Sequence, residues 1–241
     1  MAVRGITFSK QTVSSYVLPA LLFAMWASGR VNSTFERYSR IPTMRGMTGR
    51  DAARAVLDAN GLYDVRIERI SGNLSDHYDP KTNVIRLSDS TYANTSCAAI
   101  GVAAHEAGHA IQHATGYVPV RIRTAIVPIT NIGSKLSVPL ILIGILLSSL
   151  GEAYAMIAYI GVACFALSTL FQLVTLPTEF NASRRAVAAI EDCGMLNEKE
   201  TDGAKKVLSA AALTYVAALF VSVMQLLRLL AIVSRSSNRR R

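Results

Sequence analysis

The sequence predicts a mainly α fold with a small antiparallel sheet, carried in a multi-span membrane protein. Three observations predict it. Four long stretches are apolar and nearly free of charge. A polar segment of about ninety residues with strand-like alternation separates the first two. Within it, His105-Glu106-Ala107-Gly108-His109 lies in a run of small and apolar residues that reads as one buried helix.

The apolar stretches come first. Residues 11–29 carry no charge, residues 124–150 only Lys135, residues 153–178 none, and residues 207–234 only Arg228. A bilayer core needs ~20 apolar residues in a helix, so each is read as a transmembrane segment, the first as an uncleaved anchor containing Pro19. A cleaved signal peptide competes for residues 11–29, but no small-x-small site in a polar flank follows them. Hydrophobic residues make up 51% of the 241, high for a soluble protein.

Residues 30–123 read as the functional domain. Arg30 to Arg45 looks like a tether. Thr48 caps a short amphipathic helix, Asp51 complements its dipole, and Asn60-Gly61 stops it. Asp64 to Ile70 alternates and reads as a strand. Asp79 to Asn83 is a turn, and Val84 to Leu87 a second strand. An exposed strand edge ahead of the next helix has two readings: it pairs with an extended peptide, or it only packs on the helix. That helix starts near Cys97 and ends near Gly116. Residues 179–206 are read as a second-helix-and-loop region, and residues 235–241 as a basic tail.

The net charge of +9 comes without a nucleic-acid-binding signature, so no nucleic-acid partner is expected. Arg235, Arg239, Arg240 and Arg241 suit anionic headgroups or a solvated tail. Three cysteines without CxxC spacing make no disulfide framework.

His105 and His109, at i and i+4, share one helix face and can reach one divalent ion. Glu106 stands beside them as a base for the attacking water. This HExxH arrangement predicts one Zn2+ per chain and metal-assisted hydrolysis of a peptide bond. A third ligand is required. On a continuous helix His113 stands ~12 Å along the axis from His105, out of reach. His77, ahead of the second strand, is a second candidate. Glu179 is the strongest, because an acidic residue where an apolar stretch ends is costly without a cation. An interfacial carboxylate paired with Arg184 or Arg185 is the competing reading. His77, Tyr78 or Arg185 are candidate donors to the oxyanion.

The pairing of His105-Glu106-Ala107-Gly108-His109 with Glu179-Phe180-Asn181-Ala182-Ser183 resembles the gluzincin pattern. More closely, HEAGHAIQ at 105–112, SDHYDP at 75–80 and EFNASRRA at 179–186 resemble the YugP-like family of bacterial membrane zinc metallopeptidases, over most of the chain. That resemblance implies a zincin-like metallopeptidase domain at the membrane surface, with His105, His109 and Glu179 as zinc ligands and Glu106 as catalytic base. HtpX and CAAX-processing membrane peptidases are more distantly similar. Their glutamate motif often carries an aspartate four residues on that orients a histidine. Here Ser183 holds that position and supplies no charge, so Asn181 or a backbone carbonyl is the substitute.

Expected partners are the lipid bilayer and a membrane, membrane-proximal or unfolded protein substrate; a homo-oligomer is compatible. The expected location is the cell membrane, plasma or inner. Arg30, Arg37 and Arg40 against Arg4 and Lys10 favour a cytoplasmic-facing site, and the C-terminal arginines argue the opposite. Two other functions compete. A non-catalytic metal-binding scaffold or regulator has no need of Glu106. A transporter would use Lys135 and Arg228 but leaves HExxH unexplained.

Overall fold

The computed structural model describes residues 10–238, without the side chains of residues 10–16, 149, 152, 153, 237 and 238. Residues 239–241 of the expected basic tail lie outside the described residues, as does Arg4. In chain order the elements are α1 (Lys10–Ser39), α2 (Gly49–Ala59), β1 (Arg66–Ile70), β2 (His77–Asp79), β3 (Val84–Ser88), α3 (Asp89–Tyr92), α4 (Cys97–Ala114), α5 (Val118–Leu147), α6 (Glu152–Asp192) and α7 (Glu198–Asn238). They form two compact units. One comprises Ala27–Ile122 with Thr175–Tyr215; the other comprises Met1–Trp26, Arg123–Val174 and Val216–Arg241.

In the unit built around Ala27–Ile122, α2 begins as the sequence requires. Thr48 Oγ1 accepts from the Asp51 amide at 3.2 Å, and Asp51 reaches back to the Thr48 amide, closing a capping box. Ala52, Ala53, Val56 and Leu57 form its buried face. The sheet order is β1-β3-β2. Only β2–β3 is antiparallel; β1–β3 is parallel, so the sheet is mixed rather than wholly antiparallel. The reason is β2, whose His77 and Tyr78 precede the expected turn and whose Asp79 opens it. It takes one edge of β3 and leaves β1 the other. Ile67 and Tyr78 both pair with Ile85, and these side chains join the core formed with α2 and α4. Alanines at 103, 104, 107 and 110 keep α4 slim enough to be buried among these elements.

Two other boundaries differ from expectation. The expected tether from residue 30 is helical to Ser39, as the last turns of α1. The expected break at residues 178–179 does not occur, since α6 runs unbroken through Pro177 to Asp192. Proline removes one N–H from the ladder, and the helix continues past that loss.

In the other unit, small residues bring α5 and α6 together. A Cβ on Gly144 would collide with the Ala158 amide nitrogen, and one on Gly161 would lie 2.8 Å from Ser137 O. Ser134 and Ser168 hydroxyls meet at 2.6 Å, and Thr169 and Ser222 at 2.8 Å. Gly151 separates α5 from α6 at φ +149°, which glycine adopts readily. Among the described residues three helices are long and apolar enough to cross a membrane: Val118–Leu147, Tyr154–Asp192 and Glu198–Ser236. The first expected span, residues 11–29, is helical within α1, and the side chains of its residues 11–16 lie outside those described.

Candidate metal centre

All three candidate ligands belong to one unit. Helix α4 starts at its N-cap Ser96, whose hydroxyl accepts from the Ala99 amide at 3.2 Å. It ends before Gly116, which turns the chain at φ +62°. Between these ends the i, i+4 spacing sets His105 and His109 edge to face, with ring centroids 4.7 Å apart. Helix α6 supplies Glu179, which is 2% exposed. Gly108 permits the crossing, because only a hydrogen fits between it and the backbone at Ala182.

The three donors converge. Glu179 Oε2 lies 3.4 Å from His105 Nε2 and 3.5 Å from His109 Nε2. Ligand atoms of the three side chains all lie within 4.8 Å of one another. Donors about 2.05 Å from one ion at a tetrahedral angle stand about 3.3 Å apart, so two nitrogens and a carboxylate oxygen fit a zinc site that leaves one position open.

The far side of each imidazole is also fixed. Gln112 donates through Nε2 to Thr178 O at 2.8 Å and to Asn181 Oδ1 at 3.0 Å. That orients its amide, so Oε1 faces His109 Nδ1 at 3.0 Å. A carbonyl oxygen only accepts, which puts the proton on Nδ1 and the lone pair on Nε2. On the other ring, Ser183 Oγ lies 3.2 Å from His105 Nδ1; a hydroxyl accepts or donates, so it orients the ring without by itself setting the tautomer. The serine thus occupies the orienting position without a charge. Asn181 serves the other histidine through Gln112, and its Oδ1 also accepts from Arg185 Nε at 2.9 Å.

Burial disfavours the imidazolium of His109, but the carboxylates of Glu179 and Glu106 outweigh it and hold its pKa above the ordinary histidine value. Glu106 is 8% exposed, and its charge is felt by His109. Of the other sequence candidates, His113 and His77 are outside this donor cluster. His113 packs its ring on Tyr78, with centroids 5.5 Å apart. His77 is exposed, with Nδ1 2.9 Å from Ser75 O. The Tyr78 hydroxyl donates to Asn83 Oδ1 at 2.9 Å. Sequence reasoning gave Gln112 no role. Its signal was spacing: three residues after His109, it lies on the ligand face. The cysteines are free thiols.

The family model described as "Putative neutral zinc metallopeptidase" matches residues 13–234. A Bacillus subtilis (strain 168) protein named "Putative membrane protease YugP" is 46% identical over 211 residues, covering 88% of this chain and 92% of that protein. No solved structure gives a significant match.

Proposed function

The chain belongs to the neutral zinc metallopeptidase family and is a membrane-embedded zinc metalloendopeptidase; from that premise we propose that His105, His109 and Glu179 hold one Zn2+ and that Glu106 is the catalytic base. The observation that carries this is the meeting of one carboxylate oxygen with two imidazole Nε2 atoms at 3.4 and 3.5 Å. Bound there, zinc supplies Lewis acidity toward a peptide carbonyl and activates water at neutral pH. Glu106 accepts the proton of the attacking water and passes it to the leaving amine. Gln112 and Ser183 keep both rings turned with Nε2 inward. For the oxyanion we place Arg185 ahead of His77 and Tyr78, because it shares the network of Asn181 and Gln112.

Substrates in this reading are membrane, membrane-proximal or unfolded proteins, since the ligand helix α6 contains a membrane span. The β2 edge, whose Tyr78 packs on His113 of α4, is the place for an extended peptide to pair. Helix α1 serves as an additional anchor, and the site faces the cytoplasm. Protection of a C-terminal tag from protease in oriented vesicles tests that sidedness.

The decisive experiment measures metal content and cleavage of an unfolded protein for wild type and Glu179→Ala. Wild type should carry one zinc per chain and cut; the variant should lose both. A Glu179→Ala protein with full metal and full activity overturns the assignment.

A further inference from the structure

We propose that the exposed face of α5 around Lys135 docks a transmembrane segment of a partner protein that carries a carboxylate near its middle. The inference is independent of the metal centre and starts from depth. Arg123 and the helix end at Leu147 each lie 12 residues from Lys135, about 18 Å along the axis on either side. With Arg123 at the headgroups, Lys135 sits near the centre of a hydrocarbon core ~30 Å thick. Its four-carbon stem spans less than half the distance back to either surface, so snorkelling does not free it.

The surrounding face is open. Pro128, Asn131, Ile132, Val138, Pro139 and Leu142 flank Lys135 at helical spacing, and all are exposed, as is Lys135 itself. The main chain adds a second polar group at the same level. Pro139, four residues on, offers no N–H to the Lys135 carbonyl. Asn131, one turn away, adds an exposed amide. An ammonium, a carbonyl and an amide on one lipid-facing surface at mid-depth are costly unless something covers and pairs them.

Among the described side chains of this unit, none is acidic, so none supplies the pairing charge. The segments of this unit hold nine Lys and Arg residues but one acidic residue, Glu152, at the start of α6 beyond the end of α5. A second copy of the chain would bring another lysine to the face and the same shortage of acid. Arg228, the other cation within a span, has Gln225 Oε1 at 3.5 Å and lies seven residues from Arg235, about 10 Å from that end. Lys135 therefore selects the occupant. It is an apolar helix with an Asp or Glu at mid-bilayer depth, whose carboxylate meets the ammonium while its apolar sides pack on Ile132, Val138 and Leu142.

The test uses the donor-labelled full chain in phosphatidylcholine vesicles. Acceptor-labelled synthetic Leu/Ala transmembrane peptides carry a central Glu, Gln, Leu or Lys. The Glu peptide should associate about tenfold more tightly than the Leu peptide. Lys135→Leu should remove that preference, and Lys135→Glu should transfer it to the Lys peptide, a gain that an unfolded variant would not show. Equal association of Glu and Leu peptides with wild type overturns the proposal. A Glu preference that survives in Lys135→Leu also overturns it. So does peptide-free energy transfer between donor-labelled and acceptor-labelled copies of the chain that Lys135→Leu abolishes, since the occupant would then be a second copy.

Discussion

Gly108 of α4 and Ala182 of α6 meet backbone to backbone: a Cβ on residue 108 would lie 2.7 Å from the Ala182 carbonyl oxygen. The contact lies one residue before His109 and three after Glu179, so it sets the distance across which the ligands face each other. Gly108→Ala should force the helices apart, cost about 1–3 kcal/mol of stability and weaken metal binding. Thermal melting and chelator competition check both. Gly29 provides the contrast, since a Cβ there meets nothing within 4 Å. Gly29→Ala should leave metal affinity unchanged.

Gln112 holds the tautomer of His109 and ties it to the backbone of α6. Gln112→Ala should weaken metal affinity about 10–100-fold, the usual cost of removing the partner behind a ligating histidine. Ser183→Ala should act in the same direction through His105. Ser183→Asp restores a charged acceptor at His105 Nδ1 and should tighten binding relative to wild type. Competition with a coloured chelator ranks the three.

Glu106→Gln should retain the metal, because the residue is outside the ligand cluster. The rate of peptide cleavage should fall by about 10²–10⁴, the worth of a positioned base. Metal analysis beside single-turnover cleavage separates the two roles. Loss of metal together with activity would instead make Glu106 a structural support.

Asp79 gives the sheet a pH signature. The Thr82 hydroxyl, the Lys81 amide and Arg86 hold its carboxyl down at about 2, below the ordinary 3.8. A depressed folded-state pKa contributes stability that is complete above 3.8 and lost as pH falls toward about 2. Melting temperatures of the full chain across that window should fall less steeply for Asp79→Asn than for wild type.

The ligand pair was legible because i, i+4 spacing is geometry that a helix must obey. Glu179 was legible because a carboxylate ending an apolar stretch demands a cation. Strand β2 was not: three residues flanked by Asp76 and Pro80 look like turn, and only pairing with β3 makes them a strand. The unbroken course of α6 was hidden because the apolar run ends at Thr178, where the composition turns polar while the helix goes on. The role of Gly108 was hidden for another reason. Its value lies in what it lacks, and that shows only against Ala182. Lys135 was visible as a lone charge, but its exposed flank required the packing of α5 to be known.

The amide of Gln112 links a histidine on α4 to the residue just before the glutamate on α6. The donor set is therefore braced by hydrogen bonds that do not involve the ion, which lowers the ordering entropy to be lost on binding. Filling the site becomes a question of supply and selectivity rather than refolding. It follows that cobalt can be exchanged for colourless zinc under mild conditions, giving the centre a visible spectrum through which its chemistry can be watched.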